Sequence, residues 1–225
     1  MGPIIPVRPL SSASLDPKWV KFLGGFKPNS VIYCSFGSEC RLQKDQFWEL
    51  LLGLELSGSP FLAALKPPLG AETVEEALPE GFGERIGGRG AVFGGWIQQQ
   101  QVLEHPSVGC YVTHCGSGSL MEGLVMSERC QVVMIPFESD QIFNARLMGN
   151  RLKAGVEVER GEEDGFFSRE SVCKAIKTVM GQDCSGAGRE MRANCTKLRE
   201  LILGQGFESS YIDDFSRKLQ GLVAN

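Results

Sequence analysis

Histidine is scarce in this chain of 225 residues, which contains two, His105 and His114. The eight cysteines, at positions 34, 40, 110, 115, 130, 173, 184 and 195, include no Cys-x-x-Cys pair. Both a Cys/His metal site and a disulfide framework are therefore disfavoured, and no metal is expected. Several cysteines lie in apolar runs such as Val31-Ile32-Tyr33-Cys34, the usage of free, buried thiols in a cytoplasmic protein. No apolar run approaches the roughly 20 residues of a membrane span. Basic blocks are missing as well: 23 Lys and Arg against 27 Asp and Glu leave a net charge of -4, which argues against nucleic acid or an anionic membrane as partner. The start, Met1 to Pro9, lacks a basic stretch followed by an apolar one and does not read as a signal peptide. Neither Gly-x-x-x-x-Gly-Lys-Ser/Thr nor Gly-x-Gly-x-x-Gly occurs, so a P-loop nucleotidase and a dinucleotide oxidoreductase both lose ground.

What is present is an ordinary globular composition, 42% hydrophobic and 22% charged. Short β-branched runs alternate with longer runs of helical period. Strands are expected at 31–36, 61–65, 91–93, 109–112, 131–135 and 155–158. Helices are expected at 45–56, where Phe47, Leu50, Leu51 and Leu54 make one apolar stripe, and at 99–103, 119–125 and 140–152. After residue 167 the pattern is helical only, over 169–180, 187–203 and 209–222, and these helices should close one flank of the sheet. Residues 68–90, rich in Gly, Glu and Pro, read as a surface loop with short helical pieces. Strands separated by helices require right-handed crossovers, so the expected fold is α/β, a Rossmann-like parallel sheet with helices on both faces.

Ligands of such sheets lie beyond the carboxyl ends of the strands. Two turns there are rich in small residues: Phe36-Gly37-Ser38-Glu39, and Thr113-His114-Cys115-Gly116-Ser117-Gly118-Ser119, which leads into a helix carrying Glu122. Free N–H groups at a helix start favour a phosphate, although Gly-rich turns also serve tight packing alone. Trp96 and Gln99 precede His105, His114 and Glu122 at regular intervals, and Pro136 and Asp140-Gln141 close the segment.

This series, Trp96-Ile97-Gln98-Gln99 through His105-Pro106-Ser107-Val108, His114-Cys115-Gly116, Ser119, Glu122 and Asp140-Gln141, resembles the donor-binding signature of plant UDP-dependent glycosyltransferases. The likeness extends to Ser35-Phe36-Gly37-Ser38, to Leu78-Pro79-Glu80-Gly81-Phe82 and to the final helices. Ser117-Gly118 and Ile97-Gln98, where most members have Trp-Asn and Ala-Pro, look like the branch that adds a sugar to a sugar already on a flavonoid or anthocyanin. The stretch from His114 to Gln141 is two residues longer than usual, with the excess fitting at Met126 to Arg129.

The resemblance implies the C-terminal half of a GT-B fold: residues 1–15 as the remnant of an interdomain linker, 16–225 as the UDP-sugar-binding domain. It implies that Trp96 stacks on uracil, that Gln99 or the Ile97 backbone meets the uracil edge, and that Glu122 takes the ribose hydroxyls. It places His114, the N–H groups of Gly116, Ser117, Gly118 and Ser119, and Ser38 at the diphosphate, with Asp140 and Gln141 at the sugar. His105 is expected to be structural and Lys66 a surface charge. UDP-sugar would be the substrate, with glucose favoured by Gln141 and rhamnose or xylose as alternatives, and no cofactor is implied. In this family the base that deprotonates the acceptor is a histidine of an N-terminal domain that also forms most of the acceptor pocket. Both histidines here fall in the donor signature, so the 225 residues alone are expected to bind UDP or UDP-sugar without transferring it. The reading from another class is a non-catalytic nucleotide-sugar binding module.

Overall fold

The computed structural model describes residues 5–6, 14–129, 131–181 and 186–223. Most of the expected linker, together with Cys130 and Cys184, lies outside these residues. The first element is a helix outside the expected set, α1, Pro17–Gly24, which starts where Asp16 accepts a hydrogen bond from the Lys18 N–H at 2.9 Å and Pro17 takes the first helical position. Trp19 and Leu23 are buried, and Phe22 and Phe26 pack beside them, which completes an i, i+3, i+4, i+7 apolar stripe.

Six strands then form one parallel sheet in the order β3-β2-β1-β4-β5-β6. They are β1 (Val31–Ser35), β2 (Phe61–Ala64), β3 (Gly90–Phe93), β4 (Val108–Thr113), β5 (Gln131–Met134) and β6 (Gly155–Glu157), each within a residue or two of its expected place. The intervening helices are α2 (Lys44–Leu56), α3 (Phe82–Ile86), α4 (Gln99–Glu104), α5 (Ser117–Met126) and α6 (Ser139–Arg146). Helix α6 continues into a π-helical turn, Leu147–Arg151, so the expected helix over 140–152 changes its winding midway. The last three are α7 (Arg169–Met180), α8 (Gly186–Leu203) and α9 (Phe207–Val223).

Two apolar layers sandwich the sheet. On one face Phe47, Leu50 and Leu54 of α2 pack with Val172, Ile176 and Val179 of α7. The approach is so close that a Cβ at Gly53 would lie 2.6 Å from the Val172 side chain, which accounts for a glycine in mid-helix. On the other face Leu23, Val102, Leu103, Leu120 and Leu124 cover the strands. The segment 68–90 is more than the surface loop expected of its composition: Val74, Ala77 and Phe82 are buried in the core, and the Trp48 indole donates to the Ala77 carbonyl at 2.6 Å. Of the final helices α7 and α8 contribute to the core, whereas α9 packs through α8 and leaves Ile212 and Leu222 exposed. Among the described residues no helix is long and apolar enough to cross a membrane.

Chain direction across the sheet reverses between β1 and β4, where Ser35 pairs with Thr113 at the carboxyl ends. The turns that follow, Phe36 to Ser38 and His114 to Gly116, leave the sheet side by side. This is the topological switch point at which open α/β sheets bind ligands.

Candidate functional site

Two cavities meet at that point, sharing Gly37 and Ser38 as their common wall. The first, of about 530 Å³, is lined by Trp96, the Ile97 to Gln101 segment, Glu122 and Lys66. The second, of about 830 Å³, is lined by His114, Gly116, Ser117, Gly118, Ser119, Asp140 and Gln141. Every residue expected to contact the UDP-sugar therefore borders one compartment or the other, whereas His105 lines neither.

In the first compartment Trp96 is 82% exposed, so it presents a bare ring face and contributes nothing to the core. Ile97 sends its side chain into the core and leaves only its backbone for a ligand. Gln99, the first residue of α4, donates from Nε2 to Glu122 Oε2 at 2.5 Å, and Gln100 donates to Glu122 Oε1 at 2.9 Å. Gln99 Oε1 in turn accepts from the Tyr33 hydroxyl at 3.1 Å. Glu122 is not in a first helical turn, as its distance from Ser119 suggests. Helix α5 begins at Ser117 with Gly116 as its cap, which makes Glu122 the sixth residue and removes the capping role as an explanation. Lys66 is exposed as expected, yet its place is on the cleft wall.

The second compartment is built mainly from backbone. Cys115 adopts φ 71°, a left-handed conformation uncommon outside glycine, and its carbonyl is held by Asn144 Nδ2 at 3.0 Å. That bend turns the chain so that α5 starts at once, and no side chain caps its first N–H groups. With the positive end of the helix dipole they form a ready anion site. The His114 ring wedges between two glycines. A Cβ at Gly116 would lie 2.9 Å from its Nε2, and one at Gly37, which has φ 73°, would lie 3.2 Å from its Cε1.

Burial pushes the His114 pKa below its ordinary value, with Asp140 opposing from nearby, so the ring is neutral at physiological pH. Among the described residues its Nδ1 is buried and has no hydrogen-bond partner. A buried orphan acceptor is less costly than an orphan N–H, which favours the tautomer carrying its proton on Nε2, at the glycine-lined edge. Gln141 Oε1 accepts from the N–H groups of Phe137 and Glu138 at 3.0 and 3.4 Å; the side chain thus caps α6 and retains its amide NH2 as a donor. Asp140 accepts from Asn144 at 3.3 Å. His105 Nδ1 is engaged by Ser107, whose Oγ lies at 2.8 Å, in keeping with a structural role.

Three contributors escape the sequence: Tyr33, hidden in a strand; Gln100, one of four consecutive glutamines; and Asn144, whose only signal is its spacing of four from Asp140.

The family described as UDP-glucoronosyl and UDP-glucosyl transferase matches residues 28–188. A cyanidin 3-O-galactoside 2''-O-xylosyltransferase of Actinidia chinensis var. chinensis is 58% identical over 222 residues, covering 99% of this chain and 48% of the relative. An anthocyanidin 3-O-glucoside 2''-O-glucosyltransferase of Ipomoea nil is 57% identical over 222 residues, covering 99% of this chain and 47% of the relative. A UGT transferase from Siraitia grosvenorii, solved in complex with UDP, is 28% identical with a TM-score of 0.78, covering 97% of this chain and 52% of that one. The chain spans about half the length of the curated relatives it matches. By fold, by signature and by identity, it belongs to the UDP-glucoronosyl and UDP-glucosyl transferase family.

Proposed function

We propose that residues 16–225 are the UDP-sugar-binding domain of an inverting glycosyltransferase that adds glucose to a hydroxyl of a flavonoid or anthocyanidin 3-O-glucoside. The observation that carries this reading is the paired cleft: side chains suited to a nucleoside on one side of Ser38, and an uncapped helix start suited to a diphosphate on the other.

Uracil stacks on Trp96, its edge meets the Ile97 backbone, and the ribose hydroxyls donate to Glu122. Because Gln99 is already bonded to Tyr33 and Glu122, it belongs to the ribose side more than to the base. The N–H groups of Gly116 to Ser119, the Ser38 and Ser119 hydroxyls and His114 Nε2 surround the diphosphate. Ser117 and Gly118 offer it no indole or amide side chain. Asp140 and the Gln141 amide NH2 face the sugar hydroxyls.

In the reaction the acceptor hydroxyl attacks the anomeric carbon from the face opposite UDP, its proton passes to a base, and the bond to the diphosphate breaks. Charge growing on the departing diphosphate is met by the dipole of α5 and a neutral His114 N–H, which need not reorganise. His105 is engaged by Ser107 and His114 by the phosphate loop, so the base and the acceptor pocket are assigned to the remaining length seen in the relatives. On this reading the 225 residues bind donor and transfer nothing.

Calorimetry tests the reading directly. UDP and UDP-glucose should bind the chain while ADP and NAD should not, and no heat with millimolar UDP would overturn it. The Actinidia relative, a xylosyltransferase, supports a second reading for the sugar. Assaying the full-length protein with UDP-glucose against UDP-xylose, on a flavonol 3-glucoside, separates the two.

A further inference from the structure

The two Glu122 carboxylate oxygens accept hydrogen bonds from Gln99 and Gln100. The amide of Gln99 facing it must therefore present Nε2, as the 2.5 Å contact requires, and Oε1 must point the other way. There it meets the hydroxyl of Tyr33, 3.1 Å distant on the neighbouring strand β1. An amide left to itself can turn by 180° and offer its oxygen to the carboxylate, a repulsive arrangement that frees Glu122 to swing. The hydroxyl disfavours that turn, since its 3.1 Å bond to Oε1 would be lost and its O–H would face NH2, with Ser35 as its remaining side-chain partner. Tyr33 is fully buried, stacked on Tyr111 with ring centroids 5.4 Å apart and planes 14° from parallel, so its own orientation is fixed by packing. Gln100 grips the second carboxylate oxygen, which leaves Glu122 one orientation.

Resting on the nucleotide reading above, we propose that Tyr33, which lines neither cavity, is a positioning residue that sets the sense of the Gln99 amide and, with Gln100, aims Glu122 at the ribose before the nucleotide arrives. Burial holds the phenol well above its usual pKa, so it stays a donor across the working range.

The test is calorimetry of the 225-residue chain with UDP and with pyrophosphate. Tyr33→Phe removes one hydroxyl and keeps the stacked ring. UDP should bind about 3- to 10-fold more weakly, with the affinity for pyrophosphate changed less than twofold. Because Tyr33 acts through Gln99, adding Tyr33→Phe to Gln99→Ala should cost nothing further. Unchanged UDP affinity, equal losses for the two ligands, or additive losses in the double variant would each overturn the proposal. Should the unaltered chain fail to bind UDP, the nucleotide reading falls, and the side-chain amide NMR spectrum of the ligand-free chain still decides the relay. The Gln99 NH2 resonances should shift in Tyr33→Phe, and resonances that do not move would sink it.

Discussion

At one end of the cleft Tyr33, Gln99, Gln100 and Glu122 are hydrogen-bonded to one another; at the other, the lining is chiefly backbone N–H groups and a histidine edge pressed between glycines, with the side chains of Ser38, Ser119, Asp140 and Gln141 around them. On the proposed reading the first end would read its ligand through side chains fixed beforehand, and the second mainly through the path of the chain. Side-chain recognition can be deleted one group at a time. Backbone recognition can be damaged only by changing the shape of the loop, so any damage there should affect every ligand that carries the diphosphate.

Glu122→Ala should sharpen this contrast most. We expect UDP binding to weaken by about 1.5 to 3 kcal/mol, the usual worth of hydrogen bonds to a charged group, and pyrophosphate binding to stay as it is. Comparable losses for both would mean that Glu122 supports the loop. Trp96→Ala should cost UDP about 1 to 3 kcal/mol of stacking. Since the ring is 82% exposed, the unfolding free energy should move by no more than about 0.5 kcal/mol. A clear drop in stability would return Trp96 to the core.

At the other end, Gly37→Ala puts a side chain at φ 73° and 3.2 Å from the His114 ring. Destabilisation of about 1 to 2 kcal/mol is expected from the backbone alone. UDP and pyrophosphate should weaken together, and selective loss of UDP would break the division of the cleft into two modes. The smallest effect concerns pH. Burial depresses the pKa of both His105 and His114, so the unfolded chain binds more protons than the folded one just below about pH 6.5. Their contribution to stability is full above that value and is lost as pH falls through the folded pKa values. Replacing both with Asn should flatten thermal stability between pH 7 and 5. Glu49, held below the usual carboxylate range by Arg169, adds its own loss only at lower pH. An unchanged slope above pH 5 would remove the histidines from the account.

The six strands were legible because β-branched runs such as Val31-Ile32-Tyr33 and Gln131-Val132-Val133 are bounded by Gly, Pro and Ser and separated by helical stripes. Trp96, His114, Glu122, Asp140 and Gln141 were expected at the site through the resemblance to the donor-binding signature, and all five line the cleft. Contacts between segments distant in sequence were not legible. Nothing in the run of four glutamines marks Gln100 as the one that holds Glu122, and nothing in a buried strand marks the Tyr33 hydroxyl, because each role exists only once β1, α4 and α5 are packed together. Helix α1 was legible in principle, since Trp19, Phe22, Leu23 and Phe26 make one apolar stripe, but it was missed beside the Pro-spaced start that reads as linker. Segment 68–90 misled through composition, its Gly, Pro and Glu concealing four buried anchors, Val74, Ala77, Phe82 and Ile86.

Gly37 and Ser38 form a single shared wall between the two compartments, and on the proposed reading that thinness has a consequence for affinity. A nucleoside on one side and a diphosphate on the other lie close enough to be joined through a ribose carbon, so that once either half is seated the other is presented at high effective concentration, on the order of millimolar or more. Uridine and pyrophosphate added separately should each bind feebly and without mutual help. UDP, carrying the same groups on one tether, should bind far more tightly than the weaker half, with an advantage set by how well its span matches the step over Ser38.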